Sequence, residues 1–237
     1  MLSVRAGVVF KPLPQGAVYA SYGTALNPSL EGLSYNTANT VIDPEKTYTL
    51  EAGSKWDFFS GRVLLSGAVF RVEKLNARTP GISPGDPAQV LEGKQRVSGA
   101  ELSVEGNISK AWRVLAGYTF LDSTTVESNN PLEIGKELVN TAPNSFNVWT
   151  TYSLPSGLNF GGGARFVDRR FANTVNTRQV DAYWTFDLMA SYPISKHVDL
   201  KLNLYNLTNN FYFDRIGGGH VVPGPGRIAM VGTSFRF

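Results

Sequence analysis

With 237 residues, no cysteine and only two histidines, His197 and His220, the chain excludes a disulfide scaffold and thiolate chemistry, and has too few imidazoles to anchor a metal site between them. Its net charge of +3 is carried by scattered Lys and Arg, with no basic run interleaved with aromatics, so a nucleic-acid groove is excluded as well. Charged residues are 17 % against roughly 25 % in soluble chains, while aromatics reach 12 % and glycines number 24; the balance points to an all-β fold with much surface that needs no charge.

The opening MLSVRAGVVFKPLPQG lacks the charged start, apolar core and cleavage site of a secretory signal. No run approaches the roughly 18 apolar residues of a membrane helix. Any membrane crossing must therefore use strands, with the export signal on other sequence. Period-two alternation predicts eleven strands, at 2–11, 17–26, 47–57, 61–75, 95–107, 111–123, 145–154, 157–169, 182–194, 198–210 and 227–237. In TYTLEAGSKW, Tyr48, Leu50, Ala52 and Trp56 oppose Thr49, Glu51, Gly53 and Lys55. In AWRVLAGYTFLD, Trp112, Val114, Ala116, Tyr118 and Phe120 oppose Arg113, Leu115, Gly117, Thr119 and Leu121. The same holds for SFNVWTTYSL, LNFGGGARFV and VDLKLNLYNL further on.

A soluble β-sandwich predicts the same alternation, but two features favour a transmembrane barrel. Aromatics gather at strand ends, with Trp56, Phe58, Phe59, Trp112, Tyr152, Tyr192 and Phe237 at one set and Phe70, Phe120, Phe166, Tyr183 and Trp184 at the other, as in interfacial girdles. Short connections at 12–16, 58–60, 108–110, 155–156 and 195–197 also alternate with long ones at 27–46, 76–94, 124–144, 170–181 and 211–226. Barrels separate short periplasmic turns from long external loops in this way. With eleven strands the first and last run in the same direction and cannot close the wall antiparallel, so an odd number of further strands is expected elsewhere.

In order and spacing, VYASYGTALNPS (18–29), DPEKTYTLEAGSKWDF (43–58), AVFRVEKLNAR (68–78), GKQRVSGAELSVEGNI (93–108), WRVLAGYTFLDS (112–123), LVNTAPNSFNVWTTY (138–152), LNLYNLTNNFYF (202–213), GPGR (224–227) and the terminal SFRF resemble the C-terminal half of TonB-dependent siderophore receptors, most closely the ferric catecholate branch. The resemblance implies an outer-membrane receptor with a 22-strand barrel, of which residues 1–237 are half, and with a signal peptide, an energy-coupling TonB box and a plug domain that nothing in this chain matches. It implies import of a ferric siderophore as transported ligand, with no intrinsic cofactor, energised by the inner-membrane TonB complex. Its partners would be outer-membrane lipid and lipopolysaccharide, the N-terminal barrel half with its plug, and the barrel assembly machinery. A passive porin and a soluble binding module are the alternatives; a plug and coupling box in the full sequence separate the receptor from a porin, and insolubility without detergent separates it from the module.

No catalytic constellation stands out: SKHVD at 195–199 reads as a turn, and GGGH at 217–220 and VPGPGR at 222–227 as loop sequence rather than a phosphate cradle. An anionic ferric chelate with aromatic rings calls for cations and stacking surfaces near the outer mouth. The candidates are Arg78, Arg169, Arg170, Arg178, Arg215 and His220 in or beside long loops, with Trp149 on the interior near an upper rim. Arg71, Glu101, Arg113, Arg165 and Lys201 are expected to face the lumen or plug. Val231, Thr233, Phe235 and Phe237 share a face of the last strand and resemble the signal read by the assembly machinery.

Overall fold

A computed structural model of the protein describes residues 2–27, 44–82, 89–217 and 220–235. Its strands are β1 (Arg5–Leu13), β2 (Gly16–Asn27), β3 (Glu45–Phe58), β4 (Val63–Pro80), β5 (Gln89–Asn107), β6 (Trp112–Glu127), β7 (Asn144–Ser153), β8 (Asn159–Val167), β9 (Arg170–Phe171), β10 (Gln179–Val180), β11 (Tyr183–Pro193), β12 (Val198–Tyr205), β13 (Phe213–Gly217), β14 (His220–Pro223) and β15 (Ile228–Phe235). Among the described residues eleven of them make one antiparallel sheet in the order β1-β2-β3-β4-β5-β6-β7-β8-β11-β12-β15, each pairing with its successor along the chain. These are the eleven expected strands. β1 and β15 are the edges of the sheet, and both run toward the short-turn side.

The departures lie in the long connections. β4 and β5 continue to Pro80 and from Gln89, so most of the loop expected at 76–94 is a tall hairpin, with register shifts between Leu75 and Thr79. Asn76 takes a left-handed φ of 54° there, a conformation its short polar side chain tolerates, and donates from Nδ2 to the Pro44 carbonyl at 3.0 Å. The connections expected at 170–181 and 211–226 carry small hairpins, β9–β10 and β13–β14. Most of the expected 27–46 loop lies outside the described residues.

Register fixes the faces, because one hydrogen-bonded row places all its side chains on the same side. One row runs Val18, Ser54, Gly67, Leu102, Tyr118, Phe146, Phe166, Trp184; the adjacent one, on the opposite face, runs Tyr19, Gly53, Ala68, Glu101, Thr119, Ser145, Val167, Tyr183. The first row is uncharged and rich in aromatics; the second is more polar, with Glu101, Thr119 and Ser145. Leu50 at 61 % exposure, Val69 at 60 % and Val231 at 72 % all stand on the apolar face. Large exposed aliphatics in regular rows suit hydrocarbon, not water. The aromatic girdle is refined accordingly. Phe146, Phe166, Trp184 and Tyr118 form the upper outer row, whereas Phe70 and Tyr183, expected in it, share the polar inner face with Glu51 and Arg165 respectively.

Arg71 is a clear correction. It lies opposite Leu50 and Ser98, on the apolar outer phase, while Glu101 pairs with Ala68 on the inner one. Alternation within AVFRVEKLNAR cannot by itself say which phase is inner, and Arg71 sits just past the point where the outer face turns from apolar to charged. Arg113, Arg165 and Lys201 keep the inner phase expected of them. Val231, Thr233 and Phe235 share the outer face of β15, opposite Leu202, Leu200 and Val198. Phe237 lies outside the described residues.

Candidate functional site

The long connections of β6, β8 and β12 meet at one end of the wall, and hydrogen bonds join them into a collar. It begins on the tall hairpin, where the buried Thr79 hydroxyl accepts from the Asn129 backbone N–H at 2.7 Å and lies 2.8 Å from Ser128 Oγ. Ser128 donates to Glu133 Oε2 at 2.7 Å, so Thr79 is the donor of the Thr79–Ser128 pair. Asn129 Nδ2 reaches back to the Pro80 carbonyl at 3.1 Å and Glu92 at 2.7 Å. Glu133, at the end of a single 3-10 turn over Pro131–Glu133, then accepts from Thr174 of the next connection at 2.8 Å.

From there Glu137 takes both ends of the Arg169 guanidinium, at 2.8 and 3.2 Å, and its backbone exchanges two bonds with the Asn176 side chain. The planar Arg fork matches a carboxylate's two oxygens. Its hydrogen bonds to Glu137 hold Arg169 above its ordinary pKa, and its cation also covers Phe171 at 4.8 Å. Left-handed Asn140 and Asn176, with φ of 57° each, turn the backbone so that these contacts close.

The third connection is secured by Arg170, which is only 5 % exposed. Its Nη1 donates to Asn140 Oδ1 and the Asp214 carbonyl, both at 3.0 Å, and its Nη2 to the Phe213 carbonyl. Beside it Tyr183 and Tyr212, 4 % and 8 % exposed, stack at 4.3 Å, and Arg165 pairs with Asp214 at 3.5 Å. Asn206 closes the loop's base, with Nδ2 donating to the Asn210 and Pro225 carbonyls and its N–H to Asp187 Oδ1. Gly224 lies against the Tyr212 ring, where an added Cβ would fall 2.1 Å from ring carbon. Burial, then the nearby Asp214 charge, raises the Tyr212 phenol above its ordinary 10.0. A raised folded value means the native loop holds this proton more tightly, so its contribution is complete below about pH 10 and is lost as pH rises through the folded value. Amide exchange over 206–224 is therefore expected to quicken only on the alkaline side; equal quickening in a Tyr212→Phe variant would show that another group is responsible.

Of the expected mouth residues, Arg169 and Arg170 are thus spent on the loops themselves, and Arg170 is too buried to meet a ligand. Arg78, Arg178, Arg215 and His220 are exposed, Arg215 with only a loose 3.9 Å pairing to Asp214. Trp149 is not near the upper rim. It sits at mid-height on the inner face, opposite Leu115 and Gly163, and a Cβ on Gly163 would lie 2.4 Å from its ring, so glycine makes the bed on which the indole packs. Lower on the wall Arg113 pairs with Glu105 at 3.2 Å. Tyr183 was expected only as a girdle ring, and Tyr212, Asp214, Asn140 and Glu137 not at all; no local pattern marks residues whose partners lie on other connections.

A wall of apolar outer and polar inner rows, crowned on one side by long interlocked loops, is the architecture of an outer-membrane receptor barrel. The family described as TonB dependent receptor-like, beta-barrel, matches residues 1–207. The chain belongs to this family. Over its whole length it is 34 % identical to the probable TonB-dependent siderophore receptor PiuA of Acinetobacter baumannii, of which it covers 34 %, and 29 % identical to the catecholate siderophore receptor Fiu of Escherichia coli K12, of which it covers 33 %. The crystal structure of the PiuA receptor superposes with a TM-score of 0.88 over 98 % of this chain and 35 % of that one. The closed form of Fiu gives 0.82 over 98 % and 34 %. The receptor segment thus spans about a third of the length of the curated relatives it matches. It is a β-barrel wall of the outer membrane, with the long connections after β6, β8 and β12 and the tall β4–β5 hairpin forming the collar.

Proposed function

We propose that the complete receptor imports a ferric siderophore of the catecholate type across the outer membrane, driven by the TonB complex acting on a plug inside the barrel. The observation that carries this reading is end-to-end similarity to siderophore receptors, including one whose name specifies catecholates. The wall's two parallel edges support closure by further strands, because unpaired backbone in hydrocarbon costs several kcal/mol per group. The inner polar rows suit a plug, and the outer rows suit membrane lipid, including lipopolysaccharide. The face of Val231, Thr233 and Phe235 suits the assembly machinery.

In this reading the collar is a rigid frame and the exposed cations of the mouth attract the anionic chelate. Iron-limited growth of receptor-deleted cells carrying the complete gene, fed purified ferric siderophores, tests it: growth on catecholates is expected, growth only on hydroxamates or citrate overturns the class, and growth on none overturns import. Joint replacement of Arg178 and Arg215 by alanine is expected to weaken ferric catecholate binding about tenfold, the scale of one or two exposed charge-assisted contacts, with unchanged heat stability. Unaltered affinity would remove them from the binding surface.

A further inference from the structure

We propose that the outer face of β3–β5 carries a binding site for the phosphate of a phosphorylated glycolipid headgroup in the outer leaflet. The site rests on the membrane-wall reading above and adds a place and a chemistry to it. Across β2–β6, the outer row through Val69 is Ala20, Ala52, Val69, Ala100 and Phe120, and the two rows beneath it hold no charge. The next row up contains Arg71, followed by rows with Glu73 opposite Arg96 and with Lys46 and Lys94. One row step is two residues, about 7 Å along a strand. Four cations therefore begin within one step of the last apolar row, on the loop side, at the height where headgroup phosphates replace hydrocarbon.

The local geometry leaves these cations short of acceptors. Glu73 alone receives Arg71 through Nε at 3.1 Å and Nη2 at 2.7 Å on one oxygen, and Lys94 at 3.3 Å on the other. Two other carboxylates flank the patch: Asp122, beyond Ser98 at the end of the Arg71 row, and Glu127, across from Lys94. Neither makes an ion pair with the four cations among the described residues. Arg71 remains 53 % exposed at its side chain, with guanidinium donors unspent, and Arg96 and Lys46 have no side-chain acceptor among the described residues. A phosphate offers several oxygens to such forks at once, and near a lipid surface each cation adds to the attraction.

The test uses the full-length receptor in lipid nanodiscs, with retention of diphosphoryl lipid A and of enzymatically dephosphorylated lipid A measured by native mass spectrometry. Wild type should favour the diphosphoryl form by about tenfold or more, and an R71Q/K94Q/R96Q variant should lose that preference. Glu73→Gln should raise diphosphoryl retention, because it frees two cations; a cluster serving only wall stability would lose stability there and gain no lipid. Undiminished preference in the folded triple variant, or reduced retention in Glu73→Gln, overturns the site. Wild-type protein that never enters a bilayer would overturn the membrane-wall reading itself, and the site with it.

Discussion

Alanine at position 170 is expected to release the connection between β12 and β15 while leaving the sheet intact. Arg170 is buried among the oxygens it donates to: Asn140 Oδ1 and the carbonyls of Phe213 and Asp214. Removing the guanidinium leaves up to three acceptors unsatisfied, each costing about 1–3 kcal/mol if it stays buried. Opposing this is the cost of holding the charge itself, since Arg170 has no ion pair among the described residues, and rehydration at the mouth recovers more. A net local loss of roughly 2–4 kcal/mol follows, a hundredfold or so in the opening equilibrium. Hydrogen exchange should rise by that factor in 139–142 and 206–217 and stay unchanged in β6 and β7. Arg170→Lys should recover little, because a point cation cannot span oxygens on two connections. Unchanged exchange at 206–217 in the alanine variant would sink the latch. Ligand affinity alone would not separate this role from a direct contact, so the exchange pattern is the deciding readout.

The strand plan was legible because a wall one sheet thick imposes period two on every crossing, and each long connection breaks it. Strand register was implicit too where a short turn joins the pair: with only a tight turn around 155–156 between β7 and β8, Ser153 must fall opposite Asn159, and it does. Phase was less legible where the wall leaves the membrane. Above the Val69 row neither face of β4 meets hydrocarbon, so Arg71 and Lys74 look alike in sequence, though one faces outward with Glu73 and the other inward with Glu45. The hairpins β9–β10 and β13–β14 are short enough that no alternation develops.

The site was half legible for a related reason. Charge and loop position singled out six mouth residues, and four of them stay exposed. What composition cannot tell is whether a loop cation is answered by its own protein. Arg169 and Arg170 are adjacent in sequence, yet one meets Glu137 and the other meets backbone carbonyls of a connection more than forty residues on. Such pairings depend on the order in which strands sit side by side, so they become visible only once the collar is assembled. Trp149 failed differently: its inner phase was right, but its height is set by where β7 begins, and the packing partner is a glycine, which carries no pattern of its own.

The largest loss of stability from a single methyl group is expected at Gly106. The penultimate residue of β5, it has φ +152° and lies opposite Val63, and a Cβ there would lie 2.1 Å from the Arg62 carbonyl oxygen and 2.6 Å from Val63 Cα. These are backbone atoms, fixed by the Asn107 N–H donating to that same Arg62 carbonyl at 2.8 Å and by the Arg62 N–H bonding to Phe58 at 3.1 Å. Alanine can be seated only by parting β4 from β5 at the short-turn rim, so backbone strain and the lost ladder bonds combine to about 3–5 kcal/mol. Gly61, in the turn that carries Arg62, separates the two causes. Its φ is +80° but an added Cβ meets nothing within 4 Å, so Gly61→Ala should cost only the conformational share, about 1 kcal/mol. Gly232→Ala, with open space and no unusual φ, should fall within about 0.5 kcal/mol of wild type. Urea unfolding of the detergent-solubilised receptor gives the three values directly. If Gly106→Ala and Gly61→Ala lose the same stability, close approach to Arg62 is not what makes position 106 a glycine.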